Sequence, residues 1–170
     1  MTSDIYRAGA FQPDTWRVLG DDEALPAEGG VLLPFARFLT ERAGLAGDNR
    51  PLGVVIAPAD RIEEIAADLP RLSVLAIAFP AYTDGRGYST ARLARQRYGF
   101  TGEVRAIGNV LLDQVPLMLR CGFDALVVEN EPTRRRLAEG RIPDVPLYYQ
   151  PTGLGGEVPA GPRSWTRRRA

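Results

Sequence analysis

The chain has 170 residues, 45% hydrophobic and 25% charged, which is typical of one compact globular domain. Its 21 acidic and 21 basic residues balance, so no overall charge attracts it to nucleic acid or to an anionic membrane. No apolar run approaches the roughly 18 residues of a membrane span, and the first ten residues do not resemble a signal peptide, so we expect a cytoplasmic protein.

The chain contains no histidine and no lysine, so every basic side chain is an arginine. This excludes, for this chain alone, Ser-His-Asp and Cys-His catalysis, histidine-ligated metals, Schiff-base lysines and a Walker phosphate loop. Cys121 is the single cysteine, so an iron–sulfur cluster would need a second subunit, and an oligomer remains open. No G-x-G-x-x-G fingerprint lies between a strand and a helix. The sequence therefore identifies no cofactor and no metal site.

The first fifty residues predict a hairpin, a loop and a helix. Residues 5–20 read as a short hairpin and residues 21–30 as a polar loop. Pro34 then opens a helix whose apolar side chains cover one side of a sheet, and Gly44 ends it.

From Leu52 onward, short apolar runs alternate with amphipathic segments, which predicts βα units around a mainly parallel sheet. We expect an α/β fold of about four units, either open and doubly wound or half-barrel-like, because a complete barrel needs about 250 residues. The domain is expected to span residues 1–150. The predicted strands are 52–57, 73–79, 103–107 and 125–129.

Helix boundaries are predicted from capping residues. Asp60 and Glu63 read as a capping box for a helix that ends at Pro70, and Ser89 reads as the cap of the next helix. On that second helix, Arg92 and Arg95 are expected to face solvent.

A short motif recurs at a spacing of 23 residues: Arg97-Tyr-Gly-Phe100 is echoed by Arg120-Cys-Gly-Phe123. Both glycines read as the residue that ends a helix, with the phenylalanine supplying the hydrophobic contact of the cap. After Gln150 the chain becomes rich in glycine, proline and arginine, which predicts a disordered tail over 151–170.

In open α/β sheets, ligands bind beyond the carboxyl ends of the strands. The loops that follow the four strands carry Asp60, the block 84–89, Asn109 with Asp113, and the stretch 129–131. Carboxylates, arginine, tyrosine and helix amide groups at one edge suit a small anionic ligand or an acid/base pair. The predicted catalytic residues are Asp84 and Asp113, and the predicted anion-binding residues are Gly85, Arg86, Gly87, Tyr88, Ser89 and Arg92.

Several of these residues also have a structural interpretation, and Arg92 could be plain surface charge. Asp60 and Asp113 could serve as helix caps. Asp84-Gly85-Arg86 could form a tight turn closed by a surface salt bridge.

The segments LLPFARFL, LGVVIAP, FPAYTDGRGYSTARLARQRYGFTGEVRAIGNVLLDQ and RCGFDAL resemble the bacterial domain-of-unknown-function 934 family over roughly residues 30–130. The chain departs from the family pattern at Asn109 and Pro116. The resemblance implies a link, through gene neighbourhood, with assimilatory sulfite reductase, and members are often labelled probable oxidoreductases. The positions that match the family are Asp84, Gly85, Arg86, Ser89, Arg92, Arg105, Asp113, Gln114 and Arg120.

Three functional hypotheses follow. The first is an accessory protein of sulfite reduction that acts with sulfite reductase or its electron donor. The second is a small enzyme or binding protein for an anionic metabolite, which would use Arg86 to hold the anion and Asp84 or Asp113 as the acid/base. The third is a structural partner that docks through a sheet edge or the tail.

Overall fold

The structure, a computed structural model, describes residues 4–143. Within them, eight strands form one sheet and four α-helices pack against it. The strands are β1 (Asp4–Arg7), β2 (Ala10–Pro13), β3 (Trp16–Val18), β4 (Gly30–Pro34), β5 (Leu52–Ile56), β6 (Val74–Phe79), β7 (Glu103–Gly108) and β8 (Ala125–Leu126). The helices are α1 (Phe35–Glu41), α2 (Arg86–Arg92), α3 (Val115–Cys121) and α4 (Glu131–Ala138).

The strand order is β2-β1-β8-β7-β6-β5-β4-β3. All pairs from β3 to β8 are parallel, as predicted, whereas β1 is antiparallel to both β2 and β8. The sheet is therefore mixed, because the N-terminal hairpin of β1 and β2 joins the parallel strands through β8. The predicted strands at 52–57, 73–79 and 103–107 are confirmed to within a residue, while β8 pairs over two residues of the predicted 125–129.

The strand order requires the sheet to curl. Its edge strands, β2 and β3, are consecutive in the chain and joined by Asp14 and Thr15. Three residue steps from Pro13 to Trp16 reach at most about 11 Å. The edges of a flat sheet of this size would lie about 34 Å apart, since strands are spaced by about 4.8 Å. The sheet therefore bends into a half-barrel. This confirms the half-barrel-like architecture that was one of the two predictions, and the open doubly wound sheet is wrong.

The two faces of the curled sheet are covered differently. Leu75, Ile77 and Phe79 of β6 point outward into the main core, which the helices close with side chains such as Phe38 and Met118. Alternate residues point inward, where a smaller apolar cluster forms. Its members are Leu32, Val74 and Ala76, with Trp16, Val55 and Ile107 packed against them.

A buried arginine holds the inner face together. Arg105 on β7 is 1% exposed, and its guanidinium donates to Asp14 at 2.8 Å and to Glu103 at 2.6 Å. It also lies 5.9 Å from the ring centroid of Trp16. Glu103 accepts a second hydrogen bond from Arg7 at 2.9 Å, so two cations balance two carboxylates. Because Asp14 and Trp16 belong to the edge of the sheet, the network ties that edge to β7 across the curl.

The prediction of a helix between Asp60 and Pro70 is wrong. Two separate 3₁₀ turns, Ile62–Ile65 and Leu69–Arg71, take its place. The Asp60 carboxylate accepts the N–H of Ala57 at 2.7 Å and thereby holds the turn after β5, so it does not cap a helix. Proline inside the second turn removes a donor that a continuous α-helix would need.

The start of α2 also differs from the prediction. The helix begins at Arg86, with Gly85 at its N-cap position, so Ser89 lies inside the helix and does not cap it. After Arg92 the helix continues as a π-helical turn over Leu93–Arg97. The wider turn places Arg95 against its neighbours: its side chain is 14% exposed and donates to the carbonyls of residues 100, 102 and 122. The prediction that Arg95 faces solvent is therefore wrong.

The repeated motif does end two helical segments, as predicted. Gly122 has a φ of +98°, and the Phe123 N–H donates to the Met118 carbonyl at 3.2 Å, the bond of a Schellman cap. Gly99 has a φ of +62°, but the Phe100 N–H reaches the carbonyl six residues before it, because the preceding turn is π-helical. The two motifs thus share the glycine and differ in the turn before it.

The remaining predictions concern the first helix, the C-terminal boundary of the domain and membrane-spanning segments. Helix α1 follows Pro34, as predicted, and ends at Glu41, three residues before Gly44. The domain boundary at residue 150 and the tail over 151–170 lie outside the described residues. Among residues 4–143, no helix has the length and apolar character needed to cross a bilayer.

Candidate functional site

The β6–α2 loop contains a local ion pair. One Asp84 oxygen accepts the Arg86 backbone N–H at 3.2 Å and its Nε at 2.9 Å, and the other accepts Nη2 at 2.6 Å. The hydrogen bonds from the Arg86 side chain lower the pKa of Asp84 below its usual value. The turn-and-salt-bridge interpretation of Asp84-Gly85-Arg86 describes this geometry, and a carboxylate held ionised in this way is a poor proton donor at neutral pH.

Gly87 allows α2 to lie close to β6. A Cβ at this position would come within 2.7 Å of the Phe79 ring and 3.1 Å of Ile77. At Gly85, in contrast, a Cβ would meet only an ordinary van der Waals contact, with the Tyr88 ring at 3.9 Å. Gly87 therefore has a packing role, whereas Gly85 starts the helix.

Tyr88 packs against the end of β6. Its ring is half-buried and contacts Phe79 edge-on, with centroids 5.2 Å apart. Burial raises the pKa of the Tyr88 hydroxyl, and the nearby Cys121 and Asp113 raise it further. The structure thus places Tyr88 near the predicted Asp113, which is itself exposed.

Ser89 and Arg92 lie on the outer surface of α2. Together with Leu93, Gln96 and Arg97 they line a groove of about 450 Å³, which we call the α2 groove. Gln96 and Arg97 were not predicted as site residues, because the α-helical spacing does not reveal that a π-helical turn continues the row. The predicted site residues therefore separate: Asp84 and Arg86 form a turn, Gly87 and Tyr88 pack inward, and Ser89 and Arg92 enter the groove.

Gln114 joins two loops at the carboxyl edge of the sheet. It is 7% exposed, and its carboxamide accepts the Leu111 N–H at 3.0 Å and donates to the Tyr82 carbonyl at 3.1 Å. The sequence offered Asp113 as a possible helix cap, but the side chain that caps this turn is that of Gln114. A glutamine three residues after the cap position, which is half of a capping box, was the available signal.

Replacing Gln114 by leucine is expected to lower stability by about 1–3 kcal/mol, because the buried N–H of Leu111 loses its acceptor. Chemical denaturation of wild type and variant measures this cost. Asp113→Leu, which changes an exposed neighbour, is the control and should cost less than about 0.5 kcal/mol. Equal costs for the two variants would contradict the bridging role.

A second concave region lies where the parallel strands end. The pocket is about 430 Å³ and is called here the carboxyl-edge pocket. It brings together Asn109 and Glu129, both predicted to lie at this edge, but neither Asp84 nor Asp113 lines it. Its lining residues are Phe79, Pro80, Gly108, Asn109, Val110, Glu129 and Asn130.

Cys121 is buried behind α2. Burial raises the pKa of its thiol, although the positive charges of Arg92 and Arg120 act in the opposite direction. The thiol is therefore protonated at neutral pH, which makes it a weak nucleophile. Among the described residues, no three Cys, Asp or Glu side chains are grouped as metal ligands would be.

Comparison with known proteins gives one family. The sequence model of a bacterial family of unknown function, DUF934, matches residues 53–159, which is more than half of the chain and includes the α2 groove and the carboxyl-edge pocket. No curated protein matches. The chain belongs to the DUF934 family of bacterial proteins of unknown function.

Proposed function

We propose that the protein is a cytoplasmic accessory component of assimilatory sulfite reduction that docks through the α2 groove on sulfite reductase or its electron donor. The pathway is suggested by the resemblance of residues 30–130 to a family linked with sulfite reductase. The observation that carries the docking surface is the row of Ser89, Arg92, Gln96 and Arg97 along one open groove. A supporting role fits a chain with one buried cysteine and no histidine better than electron transfer by this chain alone.

The chemistry of the α2 groove favours an acidic partner surface. It is lined by two arginines and by no carboxylate among the described residues. Guanidinium groups bind carboxylates in bidentate geometry and are enriched in protein interfaces. The π-helical turn beneath the groove is a feature often found at functional sites.

Deletion of the gene is expected to prevent growth on sulfate or sulfite as the sole sulfur source, while growth on sulfide or cysteine stays normal. The comparison of sulfite with sulfide isolates the reduction step. Growth of the deletion strain on sulfite would contradict the proposed pathway.

Charge reversal separates the docking surface from the pathway. The double variant Arg92→Glu/Arg97→Glu should fail to restore growth, although its circular dichroism and melting temperature match those of wild type. Arg61→Glu, an exposed arginine outside the groove, is the matched control and should restore growth. Restoration by the double variant would leave the pathway standing and refute the groove.

A second candidate function uses the same groove for a small anion. The hydroxyl of Ser89 and the carboxamide of Gln96 stand beside the arginines, and such donors would complete an oxyanion site. A rise in melting temperature with sulfite, lost in the double variant, would favour this candidate. If the anion-binding protein were an enzyme, Asp84 would be a poor general acid or base, because Arg86 lowers its pKa and holds it ionised. The catalytic carboxylate would then have to be Asp113. Docking of a partner on a sheet edge is less well supported, because the edge strands β2 and β3 are only four and three residues long and present few free backbone groups.

A further inference from the structure

The carboxyl-edge pocket lies at the ends of three neighbouring parallel strands. Phe79 is the last residue of β6 and Pro80 follows it, Gly108 is the last residue of β7 and Asn109 follows it, and the third wall comes from the residues after β8. Ligands of parallel α/β proteins bind at this edge, because the loops there carry side chains on a rigid frame. Its volume of about 430 Å³ also lies within the range of small-molecule sites.

Gly108 shapes this pocket. Its φ of +91° turns the chain at the end of β7, and a Cβ there would lie 2.6 Å from the Phe79 carbonyl oxygen. The next residue, Asn109, donates its N–H to that same oxygen at 2.7 Å. The backbone of the pocket is therefore fixed, while the exposed Asn109 side chain stands at its rim.

The polar side chains of the pocket have hydrogen-bonding capacity to spare. Among the described residues, neither the Asn109 carboxamide nor the Glu129 carboxylate makes a hydrogen bond or an ion pair. The Asn130 oxygen accepts from the N–H and hydroxyl of Thr133, which leaves its NH₂ group for other partners. The pocket thus presents a carboxylate, one complete carboxamide and one amide donor.

The charge of the pocket excludes an anion as its preferred ligand. Glu129 lines it, Glu131 lies beside it, and within residues 4–143 no cationic side chain lines it. The start of α4 does not attract an anion either, because the Asn130 side chain already caps it. The floor is formed by Phe79 and Val110, which are both buried, so the Phe79 ring has no exposed face on which a cation could bind.

We infer that the carboxyl-edge pocket binds a neutral, hydroxyl-rich small molecule. Adjacent hydroxyl groups would donate to Glu129 and exchange hydrogen bonds with Asn109 and Asn130, since a hydroxyl both donates and accepts. Pro80 supplies the exposed apolar surface against which a sugar-like ring can lie. This ligand class differs from the acidic one that suits the arginine-lined α2 groove, and the two linings share no residue, so the pocket is a separate site.

Titration of the ¹⁵N-labelled full chain with D-ribose and with glycerol tests this site. We expect saturable shifts of the backbone amides of Gly108, Asn109 and Asn130, with a millimolar Kd for ribose (about −4 kcal/mol or somewhat weaker). Sulfate and putrescine serve as anionic and cationic probes at matched concentrations. No saturable binding of either polyol, or saturation of these amides by sulfate or putrescine instead, would overturn the inference.

Two variants locate the contact. Glu129→Ala should weaken ribose binding about tenfold or more, because a hydrogen bond to a charged acceptor is lost. Glu131→Ala is the matched control: its carboxylate is two residues away, 85% exposed, and outside the pocket lining, so affinity should not change. Equal affinity for both variants would remove Glu129, and with it the proposed ligand class, from the site.

Discussion

Replacement of Arg105 by alanine is expected to lower the stability of the protein by about 3–5 kcal/mol, the usual cost of removing one partner from a buried ion pair. The variant leaves the carboxylate of Asp14, which is 8% exposed, without its counterion. It also removes the cation that packs on Trp16. Urea denaturation followed by tryptophan fluorescence and circular dichroism measures the loss.

Two further variants test the cause. Arg7→Ala alters the same network at a side chain that is 46% exposed, and it should cost less than about 1 kcal/mol, as surface ion pairs do. Asp14→Asn should recover part of the stability lost in Arg105→Ala, because it removes the charge that was left unpaired. If the double variant is as unstable as the sum of its single changes, the buried charge is not what Arg105 stabilises.

Replacement of Gly108 by alanine is expected to cost about 3 kcal/mol or more. A positive φ alone strains a non-glycine residue by roughly 1–3 kcal/mol. At Gly108 the new Cβ would also collide with the Phe79 carbonyl at 2.6 Å, on the neighbouring strand β6, and the backbone there has little freedom to move. The ends of β6 and β7 should therefore separate, and thermal or urea denaturation measures the resulting loss.

Gly99 provides the matched control for Gly108. Its φ is also positive, at +62°, but nothing lies within 4 Å of a Cβ added there. Gly99→Ala should therefore carry the backbone strain alone, about 1–2 kcal/mol. Equal losses for the two variants would show that the contact with Phe79 adds nothing to the cost.

The two candidate surfaces have opposite charge and lie on different parts of the fold. The α2 groove presents arginines on the outside of a helix, whereas the carboxyl-edge pocket presents a carboxylate at the ends of the strands. The proposed docking and the inferred ligand can therefore be tested independently.

Several features followed from local sequence patterns. The apolar runs 52–57, 73–79 and 103–107 are strands because β-branched and apolar residues fill both faces of a buried parallel sheet. Gly99 and Gly122 adopt positive φ values because glycine has no Cβ to oppose them. The Asp84–Arg86 turn was one of two interpretations open to the sequence, and it depends on residues two positions apart.

The parallel strands and the glycine residues that end the helices were thus determined by the sequence alone, because these features depend on residues that are close together in the chain. Tertiary structure decided the rest. The curl of the sheet depends on which strands meet at its edges, and the burial of Arg105 depends on Asp14, 91 residues away. The separation of the predicted site residues also depends on packing: Gly87 lies against Phe79 and Ile77 of β6, so Ser89 and Arg92 are left exposed on the other side of α2. These contacts join different elements of the fold, and no local pattern encodes them.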